Sequence, residues 1–244
     1  MAQDKRFAKR LVAGIIAALV NVLCRIDDAQ MRALDITEPL IIITNHINFL
    51  EVPILYTRLP YEDIVGISKI ENWEPLLFRL LFNLYDVVPV TRGSAEISTF
   101  RKLLDALAEG KIALIAPEGT RSHHGQLQAG KPGVVFVAQK SGAPILPIAH
   151  YGGEQFKDNL RHLRRTDFHI EVGQPFHLDV PRRMTSETRQ AVTDEIMYRL
   201  AALLPPEYRG VYADLESATT HYLHFASPEH NNLPRTRREP ESGD

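Results

Sequence analysis

The sequence predicts a single α/β domain, with a largely parallel central sheet flanked by helices on both faces and a membrane-associating helix at its amino terminus. Three observations carry this. Short aliphatic or β-branched runs alternate with longer amphipathic stretches through the middle of the chain, the pattern of strand–crossover–strand units. The 244 residues suit one core with flanking elements. Two of the aliphatic runs, 40–43 and 112–115, lead directly into polar segments dense in chemistry: Asn45-His46-Ile47-Asn48-Phe49-Leu50-Glu51 and Pro117-Glu118-Gly119-Thr120-Arg121-Ser122. Ligands of open α/β sheets bind beyond the carboxyl ends of strands, so both segments are expected to open on one crevice.

From the amino terminus, Lys5, Arg6, Lys9 and Arg10 precede an apolar run over 11–24 that only Asn21 interrupts. As a helix this run covers about 21 Å, short of the roughly 30 Å hydrocarbon core, so it reads as a helix lying in the interface behind basic anchors. A cleaved signal peptide and plain core packing are the alternatives, although no small-x-small cleavage site follows before Arg25-Ile26-Asp27-Asp28. Strands are expected at 40–44, 63–67, 87–90, 112–116, 145–150 and 167–172. Helices are expected at 52–58, 73–84, 95–109, 132–141 and 186–204, the last with Ile196, Leu200, Leu203 and Leu204 on one face and Pro205-Pro206 as a stop. This gives a membrane-associating helix at 1–30, a main domain at 31–210 and an extension at 211–244, disordered from about 227, where the apolar period ends. Lys157, Arg161, Arg164 and Arg165 cluster between two strands. They read as a solvated loop, or as a face for anionic lipid if they lie on the side of the amino-terminal helix.

Composition closes several routes. A net charge of −2 is wrong for a general nucleic-acid binder, and one cysteine, Cys24, excludes a disulfide framework or a cysteine metal site while fitting a reducing compartment. The stretch from Gly125 to Lys131 imitates a P-loop, but Pro132 stands where Ser or Thr must hold magnesium. Gly66-Ile67-Ser68-Lys69-Ile70 lacks the last glycine of a nucleophile elbow. His123-His124 has no carboxylate pattern around it, so no metal is expected.

In the first polar segment, His46 suits proton removal from a hydroxyl near neutrality, best with a carboxylate on its other ring nitrogen. Glu51 is five residues on, about 140° away on a helix, so the two meet only if the chain turns between them at a strand-to-helix junction. Pro53 fits a first helical turn there. Asn48 and Glu51 also have capping-box spacing, so Glu51 has two readings, orienting His46 or closing a cap. In the second segment, Gly119 lets backbone approach a ligand and the planar fork of Arg121 suits phosphate.

Together the segments resemble the glycerolipid acyltransferase family, which includes the lysophosphatidic acid acyltransferases. That family carries Asn-His-x4-Asp and then Pro-Glu-Gly-Thr-Arg-Ser, matched here letter for letter in the second motif. Ser68-Lys69, the stretch Val88-Pro89-Val90-Thr91-Arg92-Gly93 and Ile145-Leu146-Pro147-Ile148 fill its remaining blocks in order, so the resemblance spans roughly 38–150. Two positions depart from it: Glu51 replaces the usual aspartate, and Asp86 stands where a glycine commonly precedes the Val-Pro-Val stretch.

The resemblance implies acyl transfer from acyl-CoA or acyl carrier protein to the hydroxyl of a lysophospholipid, most readily 1-acylglycerol 3-phosphate, at the cytoplasmic face of a membrane, with no other cofactor. In that mechanism His46 is the base and Glu51 orients it. Glu118, Gly119, Thr120 and Arg121 form the phosphate site, Lys69 and Arg92 are further anion contacts, and Pro147 is structural. Other acceptors (glycerol 3-phosphate, lysophosphatidylethanolamine or a lyso-aminolipid) and a non-catalytic lipid-binding homologue are the alternatives, the last favoured only by Glu51.

Overall fold

The computed structural model describes residues 2–59, 63–90, 97–122 and 124–227. Its sheet runs β1-β7-β6-β2-β5-β3-β4, where β1 is Cys24–Asp27, β2 Ile41–Thr44, β3 Ile64–Lys69, β4 Val88–Val90, β5 Ile112–Ile115, β6 Ile145–Tyr151 and β7 Thr166–Val172. The five central strands are parallel, and β7 runs antiparallel to β6 with β1 parallel to β7. An antiparallel pair of β8 (Phe176–Leu178) and β9 (Leu223–Phe225), with a helix between them in sequence, hangs from the start of β6 through β8.

Alternation along β2 explains the layers, since successive side chains point to opposite faces. Ile41 and Ile43 join a core with α5 (Ile97–Ala108), α6 (Gly133–Ser141) and α8 (Ser186–Ala201), while Leu40 and Ile42 join a second core with α1 (Ala2–Leu23) and α3 (Glu51–Arg58). All three isoleucines are fully buried, each stabilising the fold by about 1.5–3 kcal/mol. Helices on both faces of a mostly parallel sheet match the expected fold class.

Every expected strand is present, and three more are found. β1 escapes a pattern reading because its residues continue an apolar helical run, yet α1 ends at Leu23 and the chain enters the sheet as an edge strand. β8 and β9 are three residues each, too short for a period to show. The approach to β9 is held by buried Glu195 of α8, which accepts hydrogen bonds from Thr219 Oγ1 and from the backbone N–H groups of His221 and Tyr222 at 2.6–2.9 Å. Residues 211–227 therefore pack onto the domain, and the disorder expected beyond 227 concerns residues outside the described ones. α8 stops at Ala201, three residues before the expected 204, because Leu203 and Leu204 tighten to i−3 carbonyls ahead of Pro205. Two short helices, α2 (Ala29–Arg32) and α7 (Phe156–Arg161), were not expected. The helix expected at 73–84 is α4 (Leu76–Leu84), which starts three residues later, after a 3-10 turn at Ile70–Trp73.

The amino-terminal helix is built into the domain. Val20, with Ile16 and Leu23, faces the second core. Arg58 of α3 donates to Asn21 Oδ1, Lys9 pairs with Asp86 at 3.3 Å, and Tyr85 Oη donates to Lys9 O at 3.2 Å. The Asp86 departure also resolves. Its φ is +56°, so it adopts the left-handed turn a glycine would supply, a conformation aspartate tolerates better than most side chains. Among the described residues no helix is long and apolar enough to cross a membrane.

Candidate active site

β2 and β5 are hydrogen-bonded neighbours, so the segments that follow them emerge side by side. The backbone of His46 locks them together: its N–H donates to Glu118 Oε1 at 2.8 Å and its carbonyl accepts from the Ser122 N–H at 2.8 Å. One residue earlier, Asn45 brackets β6. Its side-chain Nδ2 donates to the His150 carbonyl at 2.8 Å, its Oδ1 accepts from the His150 N–H at 2.9 Å, and its carbonyl faces His150 Nε2 at 2.8 Å.

The turn that Glu51 requires is made by Asn48. Its Oδ1 accepts from the Leu50 N–H at 2.8 Å, its Nδ2 donates to the Gly153 carbonyl at 2.6 Å, and α3 begins at Glu51. Glu51 Oε1 then meets His46 Nδ1 while Oε2 accepts from the Asn48 N–H at 3.1 Å. Glu51 therefore contacts His46 through one oxygen and the Asn48 N–H through the other, while Leu50 stands as the N-cap of α3. With Nδ1 held by the carboxylate, the hydrogen bonding assigns the proton to Nδ1 and leaves Nε2 as the acceptor. Glu51 is buried, and burial alone would push its carboxyl up. The His46 hydrogen bond, the nearby imidazoles of His150 and His46, and backbone donation outweigh this and hold it below the usual carboxylate range. It is ionised at neutral pH and suited to stabilise an imidazolium. The extra methylene relative to aspartate does not prevent the contact.

On the β5 side, the loop turns at Gly119, whose φ is +67°. Glu118, read in sequence with the phosphate clamp, points inward. It is buried and engaged by the N–H groups of His46 and Gln128 (2.8 and 2.9 Å) and by Gln128 Nε2 (3.3 Å). Burial pushes its carboxyl up, partly offset by those donors. Its part in the structure is to join the two loops. Thr120 and Arg121 are exposed beyond it, and Lys69 ends β3 half-buried, in register with Val90. Arg92, two residues past Val90, lies outside the described residues.

A cation that pattern reading passed over completes this side. The Lys131 N–H donates to the Pro117 carbonyl at 2.9 Å, and its side chain crosses Gly119 so closely that a Cβ there would sit 3.0 Å from Nζ and 3.2 Å from Cδ. Glycine suits the turn, and a side chain there would push the flexible end of Lys131 aside. Lys131 belonged to the failed P-loop imitation, and no spacing rule ties it to Gly119. Arg121, Lys131 and Lys69 make no side-chain hydrogen bond or ion pair with another described residue. His150 was likewise missed. It is fully buried, stacks on Phe168 at 5.2 Å, and burial pushes its imidazole pKa down, against the opposing pull of Glu51. Pro147 fits its strand because it sits between the pairing of β6 with β8 at Ile145 and with β7 from Ile148, where its carbonyl accepts from the Gly173 N–H at 2.8 Å.

An imidazole on an ionised, buried carboxylate, beside cations with no side-chain partner among the described residues, can take a proton from a hydroxyl on a molecule that carries an anion. Comparison with known proteins points the same way. A model of the Acyltransferase family matches residues 25–151. The chain is 24% identical over 163 residues to a chloroplast 1-acyl-sn-glycerol-3-phosphate acyltransferase of Arabidopsis thaliana, covering 65% of this chain and 45% of that one. It is 27% identical over 146 residues to the enzyme of that name from Bacillus subtilis, covering 59% and 70%. It spans between a third and a half of the length of the plant relatives from Brassica napus and Arabidopsis thaliana. The fold is similar to the crystal structure of the 1-acyl-sn-glycerophosphate acyltransferase from Thermotoga maritima, with a TM-score of 0.59 at 17% identity over 80% of this chain and 78% of that one.

Proposed function

The chain belongs to the acyltransferase family, and on that premise we propose that it moves a fatty acyl group from acyl-CoA or acyl carrier protein to the free hydroxyl of 1-acylglycerol 3-phosphate. The observation that carries this reading is the contact of His46 Nδ1 with buried Glu51 beside a loop whose Arg121 and Lys131 side chains have no hydrogen-bond or ion-pair partner among the described residues.

In the proposed reaction His46 Nε2 removes the acceptor hydroxyl proton as the oxygen attacks the thioester carbonyl. Glu51 stabilises the imidazolium. The tetrahedral intermediate collapses, the carbon–sulfur bond breaks, and the thiolate leaves with the proton that His46 returns. Arg121 grips the acceptor phosphate, with Lys131 and Lys69 as further positive charges and Gly119 and Thr120 shaping the approach; Arg92 is assigned the same task from its place in the motif. A charge-assisted arginine–phosphate pair contributes about 1.5–3 kcal/mol, enough to select a phosphate-bearing acceptor.

We also infer that the protein works at a membrane surface, on the cytoplasmic side where thioester donors are found. Phe7, Leu11, Ile15, Leu19 and Val22 are exposed along the outer side of α1, with exposed Arg6 near its start. This is an interfacial pattern.

The test is thiol release with product identification, using the full chain, a panel of acyl-CoA and acyl carrier protein donors, and 1-acylglycerol 3-phosphate. Phosphatidic acid formation that His46→Ala abolishes supports the reading. A folded, pure protein that makes no ester from any donor contradicts it.

A further inference from the structure

One more feature of the surface stands apart from the site. Between α7 and β7, Leu163 adopts φ +53° and is 93% exposed. A leucine is unfavourable in that conformation and in that much water. Leu160, three residues before, is 43% exposed. Exposed Lys157, Arg161 and Arg164 surround them; Arg161 pairs with Asp158 at 3.3 Å, while Lys157 and Arg164 have no side-chain partner among the described residues. Nearby Asp167 is engaged by Arg25 at 2.6 and 3.2 Å.

Arg165 turns the other way. Its Nη2 donates to the carbonyls of Asn21 and Cys24 at 2.7 and 2.5 Å, at the carboxyl end of α1, where a cation also suits the helix dipole. The turn is thus fastened to the end of the helix whose outer side carries the exposed apolar stripe. Through Arg165 the basic cluster adjoins the amino-terminal helix, the condition under which it could face anionic lipid. At the near end of α7, Phe156 packs edge-on to Phe49 of the His46 loop at 5.7 Å between centroids. Only six helical residues, about 9 Å, separate the turn from that loop.

We propose that the turn over 160–165 is a lipid-insertion point. Leu163 enters an anionic membrane interface, Lys157, Arg161 and Arg164 lie at headgroup level, and the contact continues the apolar side of α1. An acidic protein partner would satisfy the cations but leave the leucine tip and the adjoining helix face uncovered, so the bilayer is the better fit. The inference rests on the membrane-surface reading above.

The experiment is flotation of the full chain with vesicles of phosphatidylcholine alone, or with a third replaced by phosphatidylglycerol, alongside thermal melting. Leu163→Asn keeps the left-handed turn, because asparagine adopts it readily, and removes the apolar tip. It is expected to melt at or above the parent temperature yet partition about tenfold less onto mixed vesicles. Lys157→Gln with Arg164→Gln is expected to lose roughly fivefold per charge on mixed vesicles only. If the parent floats and all these variants float equally, the turn is not an insertion point, although the membrane reading survives. A parent that binds neither vesicle overturns both. Variants that keep vesicle binding but lose co-elution with acyl carrier protein make the turn a protein dock and overturn the proposal.

Discussion

The two loops of the site differ in what they leave unsatisfied. The His46 loop is closed on itself. Asn45 is bracketed by His150, the His46 backbone by Glu118 and Ser122, Asn48 by Leu50 and Gly153, and both oxygens of Glu51 have partners. The loop after β5 is held through Glu118 and through its backbone, at Ser122 and Lys131 among others, but the exposed side chains of Arg121 and Lys131 have no hydrogen-bond or ion-pair partner among the described residues. A base must be preorganised before the substrate arrives, because orientation gained in advance lowers the barrier. A binding group gains most when its own partner is the ligand, since nothing has to be broken to receive it. On the proposed function, the difference separates the residues assigned to catalysis from those assigned to recognition.

The comparison breaks first at the base. His46→Ala is expected to lower turnover by at least about a hundredfold with the fold retained, as circular dichroism and melting will show; turnover near the parent value removes His46 from the chemistry. Next comes the carboxylate. Glu51→Gln keeps an oxygen for the Asn48 cap but loses the charge, so turnover is expected to fall well below that of Glu51→Asp, while stability changes less than turnover. Equal turnover in all three forms leaves Glu51 with the cap alone.

On the recognition side the expected effects are smaller and of another kind. Arg121→Lys keeps the charge and loses the fork, so the acceptor KM is expected to rise about tenfold with the donor KM nearly unchanged. A rise confined to the donor KM moves Arg121 to the thioester side. Stability sharpens the contrast: Glu118→Ala is expected to cost about 1–3 kcal/mol because it leaves the His46 and Gln128 N–H groups without their acceptor, whereas Arg121→Gln stays within about 0.5 kcal/mol. Denaturant unfolding reads both.

The smallest effect is on pH. Burial holds His150 neutral, so its folded pKa lies below its unfolded value. Its contribution is present above that unfolded value, about 6.5, and is lost as pH falls through the folded pKa, because the unfolded chain takes up the proton first. Stability is expected to decline on acidification below about pH 6.5, before the carboxylates titrate, and His150→Phe is expected to flatten that part of the curve.

Much of this was legible in the sequence where the relation is local. The aliphatic runs of β2 and β5 predict buried parallel strands, and the meeting of His46 with Glu51 needs only a turn over the four positions between them. What was not legible depends on approach across the fold. The inward turn of Glu118 depends on β2 lying beside β5, the crossing of Lys131 over Gly119 depends on a loop twelve positions long, and the Asn45–His150 bracket joins residues 105 apart. β1 was hidden for a different reason, since Cys24 and Ile26 extend an apolar helix pattern until the sheet edge takes them up.

The most direct measurement is the parent protein's kcat/KM for 1-acylglycerol 3-phosphate against monoacylglycerol, which has the same hydroxyl and acyl chain and no phosphate. If the outward cations are completed by the acceptor, the phosphate-bearing substrate is preferred by about ten- to a hundredfold, from one or two charge-assisted contacts, and Arg121→Lys narrows the gap. Equal kcat/KM for the two acceptors contradicts the account.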